Sequence, residues 1–216
     1  MLGSTLHGIS LQSKEELEKK IASATQDVIV MEQIHKRKME FLHMKHASLD
    51  DKFSELVFCT LTANASAEMG IRCQDQLRSL SEFDQVSIKL ELDKCRYRFK
   101  NTRSKYISIN FGRKELLNDI LTQEDRRYLL VDTYMGIGMK EASHFLRNVG
   151  YFQYSILDKH IQRFLSNFYS IPVSVKTRKD YETTEKKFLK LANEYNLEPG
   201  IMDLLVWYIM TGKILK

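Results

Sequence analysis

Proline is scarce in this chain. Two prolines and 9 glycines in 216 residues leave little material for a turn-rich β protein and favour helix. The three cysteines, Cys59, Cys73 and Cys95, are far apart and odd in number. That argues against a disulfide framework and for a reducing compartment. No uninterrupted apolar run approaches the ~20 residues of a membrane span, and Met1 to Ser10 lack the apolar centre of a signal peptide. The expectation is a soluble, intracellular monomer. Acidic residues are missing from one long segment. From Lys94 to Lys114 the chain has eight lysines and arginines and no aspartate or glutamate, whereas its overall excess is +5, so the remainder is net acidic by three.

What is present is helical periodicity, with 43% hydrophobic and 28% charged residues as in an ordinary globular protein. Residues 1 to 12 read as loosely ordered. Ser13 and Glu16 have the spacing of a capping box, and Leu17, Ile21, Val28, Met31, Ile34, Met39 and Leu42 continue as one long or broken helix. His35, His43 and His46 on its basic end could be thought of as metal ligands, but a solvated helix face is the better reading. Ser48 restarts a helix that ends in Leu61-Thr62-Ala63-Asn64-Ala65-Ser66. A helix to Leu80, a turn near Ser81 to Phe83 and a short amphipathic piece to Leu92 follow. Thr122 to Asp125 is expected to cap the helix through Tyr128 to Val131. Beyond Pro172, a polar stretch to Thr184 precedes helices over Glu185–Tyr195 and after Pro199-Gly200.

The centre of the chain is Tyr134 to His160. Gly136 and Gly138 are expected to force a tight turn, and from Met139 the apolar residues Ala142, Phe145, Leu146 and Val149 resume helical spacing up to Gly150. A helix, a Gly-x-Gly turn and a second helix suit a nucleic-acid backbone. Glycine lets the chain approach closely, and free N–H groups at the helix start attract phosphate. Lys140 falls in the first turn of that second helix, where the dipole works against its charge. An amine so placed is a candidate nucleophile. Asp158, 18 residues later, precedes the amphipathic Ile161, Phe164, Leu165 and Phe168 and reads as a helix N-cap.

Taken together, Gly136 to Gly150, Leu61 to Ser66, Cys95-Arg96-Tyr97-Arg98-Phe99 and the ending Trp207-Tyr208 to Lys216 resemble the archaeal-type 8-oxoguanine DNA glycosylase/lyases of the helix-hairpin-helix superfamily, over residues 50 to 216. The three scattered cysteines separate the chain from iron–sulfur members of that superfamily, whose cluster needs four thiolates.

The resemblance implies an all-α fold of two helical subdomains with a catalytic cleft between them: residues 1–54 with 151–216, and 55–150 carrying the hairpin. It implies Lys140 as Schiff-base nucleophile and Asp158 as the carboxylate that stabilises charge on the sugar. Phe99 and Trp207 would sandwich the expelled base, Lys216 at the chain's end would read it, and Asn64 would fill the gap in the stack. Gly136, Gly138, Arg96, Arg98, Lys100, Arg103 and Lys105 would hold the duplex, with the aromatics of the basic segment partly in the core. No metal or redox cofactor is implied. The partner is double-stranded DNA containing 8-oxoguanine, and the location cytoplasmic, at the nucleoid. Rival readings are a catalytically idle DNA-binding module, a glycosylase for another oxidised base or a mismatch, and a helical adaptor. The last must explain why the basic excess is confined to one segment.

Overall fold

Capping residues set where most of the helices begin. A computed structural model describes residues 12–80 and 82–216; the expectation for residues 1 to 11, and Ser81 in the turn, lie outside the described residues. Among the described residues there are twelve helices and no strand: α1 (Lys14–Gln26), α2 (Val28–Met44), α3 (Leu49–Thr62), α4 (Ala67–Leu77), α5 (Gln85–Lys94), α6 (Lys100–Phe111), α7 (Leu116–Thr122), α8 (Arg126–Thr133), α9 (Met139–Asn148), α10 (Lys159–Tyr169), α11 (Arg178–Glu194) and α12 (Pro199–Thr211).

Ser13 and Glu16 form the capping box of α1. The first long helix is broken at Asp27, whose backbone ends α1 and whose Oδ1 accepts from the Ile29 and Val30 N–H groups to start α2. Ser48, Ser66 and Asp84 cap α3, α4 and α5 in the same way.

Two starts differ from the sequence reading. Asp125 occupies the N-cap position of α8 but makes no side-chain capping bond. Helix α11 begins at Arg178, well before Glu185, because Thr177 and Asp180 close a capping box inside what reads as a polar linker. Its buried Tyr181, Glu185, Phe188, Leu191 and Ala192 form one helical stripe, but before Glu185 that stripe has Tyr181 alone, too little to show a period.

Two buried clusters result. One runs from α3 to α9 and includes Phe58, Leu61, Leu77, Leu92, Ile107 and Phe145. The other joins α1, α2, α10, α11 and α12 through Leu17, Ile34, Phe164, Phe188 and Leu205. Helix α9 serves both. Ala142, Phe145, Leu146 and Val149 pack into the first cluster, and Met139 into the second. Truncating a fully buried ring such as Phe145 to alanine would cost roughly 3–5 kcal/mol. Gly150, at φ +86°, lets α2 come close: a Cβ there would lie 3.1 Å from the Phe41 carbonyl oxygen.

Candidate active site

The turn between α8 and α9 is fastened to the basic helix α6. Asn110 donates from Nδ2 to the Met135 carbonyl at 3.0 Å and accepts from the Met135 N–H at 2.8 Å. Gly136 adopts φ +76°, and a Cβ there would stand 2.5 Å from the Tyr106 ring, so both conformation and space require glycine. Gly138 differs from the sequence expectation. It is extended, at φ −94° and ψ −175°, so the tight bend belongs to Gly136 alone.

Glu141 organises the start of α9. Its Oε2 accepts from the Gly138 N–H at 3.2 Å, and its Oε1 is 3.1 Å from Lys140 Nζ. Lys140 keeps 27% of its side chain exposed. Its side chain is therefore tethered through an ion pair yet partly exposed, and is not sunk in apolar packing.

Asp158 is the N-cap of α10. Its Oδ1 accepts from the His160 and Ile161 N–H groups at 2.8 and 2.9 Å. The loop that delivers it is held by α11. The Tyr181 hydroxyl donates to the Ser155 carbonyl at 2.6 Å, accepts from the Leu157 N–H at 3.2 Å, and lies 3.2 Å from Ser143 Oγ on α9. Burial pushes the Tyr181 phenol up, so it remains a donor. Glu185 accepts from the Ser155 N–H at 3.1 Å and forms a buried ion pair with Arg127 at 2.6 Å. Lys140 thus stands three residues before one anchor of Tyr181, and Asp158 one residue after another.

Further along α9, His144 and Arg147 are buried. Burial holds the His144 imidazole well below its ordinary range, with the charges of Arg147 and Lys140 acting the same way. Interaction with the Lys216 backbone works in the opposite direction. Nε2 of His144 has no hydrogen-bond partner among the described residues. Arg147 pairs with Asp203 at 3.2 Å, and both Arg147 and Asp203 feel the charge of Asp158. One helix therefore brings the surroundings of Lys140, Asp158 and Lys216 into electrostatic contact.

Trp207 is half-buried, with its ring 6.0 Å from that of His160, two residues past Asp158. Phe99 is half-buried on the first cluster, at the N-cap position of α6, with the Arg98 guanidinium 5.1 Å from its ring. A cavity of about 730 Å³ opens beside Lys216, where Met39, Phe41 and Met44 of α2 face Glu55 and Asn148. Neither Phe99 nor Trp207 lines it. Asn64 is exposed and left-handed, at φ +63°, at the tip of the α3–α4 turn. Asparagine tolerates that conformation better than most residues. Tyr97 and Arg103 brace the turn by donating to the Leu61 and Ala63 carbonyls at 2.6 and 3.1 Å.

In space the basic segment is less uniform than in sequence. Lys94 pairs with Glu91, Lys100 with Asp93 and Lys114 with Asp50, all acids outside the segment. Arg103 is committed to the α3–α4 turn and Arg113 to the Thr133 carbonyl. Arg96, Arg98 and Lys105 are exposed and carry no ion pair among the described residues.

Sequence reasoning missed Glu55, Gln74, Glu141, Tyr181 and Glu185. Glu55 had a signal: it opens a run through Thr62 with no other charge, and a helix apolar on all sides is a buried one. The cysteines are poor rivals to Lys140. All three are buried; burial pushes the Cys59 thiol up and Cys73 to about 12. Among the described residues no three His, Cys, Asp or Glu side chains converge as a metal site would require, and no helix is long and apolar enough to cross a membrane.

A family model described as 8-oxoguanine DNA glycosylase matches residues 34–197. The 8-oxoguanine DNA glycosylase/AP lyase of Picrophilus torridus is 44% identical over 191 residues, 85% of this chain and 90% of that protein. Among solved structures, the Methanocaldococcus jannaschii 8-oxoguanine glycosylase/lyase in complex with a 15mer DNA containing 8-oxoguanine superposes with a TM-score of 0.87 at 37% identity, covering 93% of this chain and 99% of that one. The 8-oxoguanine DNA glycosylase of Thermotoga maritima gives a TM-score of 0.87 at 32% identity, covering 94% and 100%.

Proposed function

The chain belongs to the 8-oxoguanine DNA glycosylase family and is an N-glycosylase and abasic-site lyase acting on 8-oxoguanine in DNA; we propose that Lys140 is its nucleophile and Asp158 its catalytic carboxylate. The observation that carries this assignment is the Tyr181 bridge. It ties the helix of Lys140 to the loop of Asp158, and the Lys140 side chain stays partly exposed beside it.

The duplex backbone lies along the Gly136 to Gly138 turn and the exposed Arg96, Arg98 and Lys105, with the first N–H groups of α9 facing a phosphate. Asn64 enters the stack where the damaged nucleotide leaves it. The expelled base lies between Phe99 and Trp207. An acceptor on the Lys216 backbone pairs with the N7 hydrogen that 8-oxoguanine has and guanine lacks. Guanine would leave that acceptor facing a bare lone pair, which is a strong ground for rejection.

In the reaction, the unprotonated Lys140 nitrogen bonds to C1′ as the bond from C1′ to the base breaks, and the departing base takes up a proton. Asp158 stabilises the positive charge that develops on the sugar. Opening of the ring at its oxygen leaves an imine between Lys140 and C1′. The imine makes a C2′ proton acidic; its loss breaks the C3′–O bond and frees the 3′ phosphate ester, cutting the strand. Every group used belongs to the chain or to the DNA.

The test is incubation of the full chain with a duplex holding one 8-oxoguanine, followed by denaturing electrophoresis. A strand cut on the 3′ side of the lesion is expected. Base release without cleavage would remove the lysine imine. Binding with neither would leave a DNA clamp.

A further inference from the structure

A line of buried polar groups crosses the boundary between the two hydrophobic clusters and ends on the Lys216 amine. It starts at Asp203 in α12, which accepts from Arg147 Nη1 at 3.2 Å. Arg147 donates from Nε and Nη2 to Asn148 Oδ1 at 3.2 and 3.0 Å. Asn148 Nδ2 donates to Glu55 Oε2 at 3.1 Å. The other oxygen, Glu55 Oε1, accepts from Lys216 Nζ at 2.6 Å and from Gln74 Nε2 at 3.1 Å. Gln74 Oε1 accepts from the same lysine nitrogen at 2.8 Å, and the Phe58 ring centre is 4.5 Å from it. The Gln74 amide cannot turn away, because its Nε2 also donates to the Ser54 carbonyl at 2.9 Å and to Ser54 Oγ at 3.0 Å.

Two features separate this arrangement from ordinary core satisfaction. The charges alternate along it, Asp203, Arg147, Glu55, Lys216, so Glu55 is the one acid that separates two cations. Beyond α12 the chain is held by Ile214, partly buried against the second cluster, and by this grip on Lys216. Gly212 turns left-handed at φ +73°, and Lys213 reaches only an exposed partner, Glu68. The Lys216 amine is gripped by Glu55 and Gln74, and the Lys216 backbone is close enough to the His144 imidazole, one helical turn from Lys140, to raise its affinity for a proton.

We propose that Glu55 and Gln74 are positioning residues for lesion recognition. By gripping the Lys216 amine they fix the Lys216 backbone at the point where the base is read. Substrate discrimination therefore depends on two side chains that never touch the DNA. This rests on the reading that the Lys216 backbone tests the base.

The test compares the full chain with Glu55→Gln and Gln74→Met in single-turnover reactions on two duplexes, one with 8-oxoguanine and one with a preformed abasic site. An abasic site has no base to read. For both variants, release of 8-oxoguanine should fall roughly tenfold to a hundredfold, the loss that small misplacement of a reacting group brings. The preference over guanine should shrink, and cleavage at the abasic site should keep the unaltered rate. Gln74→Met leaves the ion pair of Glu55 with Lys216 in place, so it remains informative should Glu55→Gln lose its fold, which thermal melting reports.

Unchanged 8-oxoguanine release in both variants overturns the proposal. So does a parallel fall of both activities in a folded variant, which would mean a structural role only. Inactivity of the unaltered chain on both duplexes overturns the enzyme reading itself and this proposal with it, and needs no variant to be seen.

Discussion

The Tyr181 hydroxyl donates to the carbonyl oxygen of Ser155 at 2.6 Å. This single bond, with the return bond from the Leu157 N–H at 3.2 Å, fixes the last stretch of chain before Asp158 to the first turn of α11. Because the same hydroxyl lies beside Ser143 of α9, the approach of Asp158 toward the Lys140 helix depends on α11, an element that contributes no reacting group.

Tyr181→Phe tests that dependence. The variant keeps the ring and strands the buried Leu157 N–H, which costs roughly 1–3 kcal/mol. Denaturant unfolding should show that loss. At temperatures where the variant is folded, 8-oxoguanine release should slow while duplex affinity stays unchanged. Full activity would mean that the loop is set by packing alone.

Two substitutions at Asp158 separate its structural from its chemical role. Asparagine caps a helix about as well as aspartate, whereas alanine gives up about 1 kcal/mol of capping. Asp158→Asn should therefore melt like the unaltered chain and bind DNA, yet lose turnover. Asp158→Ala should lose both stability and turnover. Near-normal single-turnover rates in Asp158→Asn would leave Asp158 a cap and nothing more.

The basic residues divide by their partners. Arg96→Ala and Lys105→Ala should weaken duplex binding, each lowering the slope of log affinity against log salt by about one. Lys100→Ala should change that slope less, because Lys100 already pairs with Asp93. Binding isotherms at several salt concentrations measure this directly. Equal slopes for all three variants would contradict the division.

His144 gives stability a pH dependence whose sign follows from its burial. Its folded-state affinity for a proton is lowered, first by burial and then by Arg147 and Lys140. The unfolded chain takes up a proton near the ordinary value of about 6.5 and the folded chain does not. Its contribution is complete above that pH and is lost as the pH falls through it, at up to about 1.4 kcal/mol per pH unit. Urea unfolding at pH 7.5, 6.5 and 5.5 should show the decline, and His144→Gln should flatten it. Identical pH profiles for the two chains would assign the decline to other groups.

Local signals made much of this fold readable in the sequence. The capping box at Ser13, the cap at Ser48 and the stop at Gly150 act within a few residues, and the structure uses them. The N-cap role of Asp158 was readable for the same reason. What was not readable is long-range polar pairing. Glu55 meets Lys216 across 161 residues, and Lys114 meets Asp50 across 64, so a segment without acids proved partly neutralised by acids from elsewhere. The first turns of α11, before Glu185, were not readable because Tyr181 is their one buried residue and its hydroxyl faces the loop before Asp158. The cause lies in a neighbour that periodicity does not see.

The account turns on a covalent bond between the Lys140 nitrogen and C1′ of the damaged nucleotide. Borohydride reduction during reaction with an 8-oxoguanine duplex tests it most directly, because it turns the imine into a stable protein–DNA adduct visible on a denaturing gel. The unaltered chain should be trapped, and Lys140→Gln should bind the duplex without any adduct. Trapping of Lys140→Gln at the unaltered level would assign the nucleophile to another amine and contradict the account.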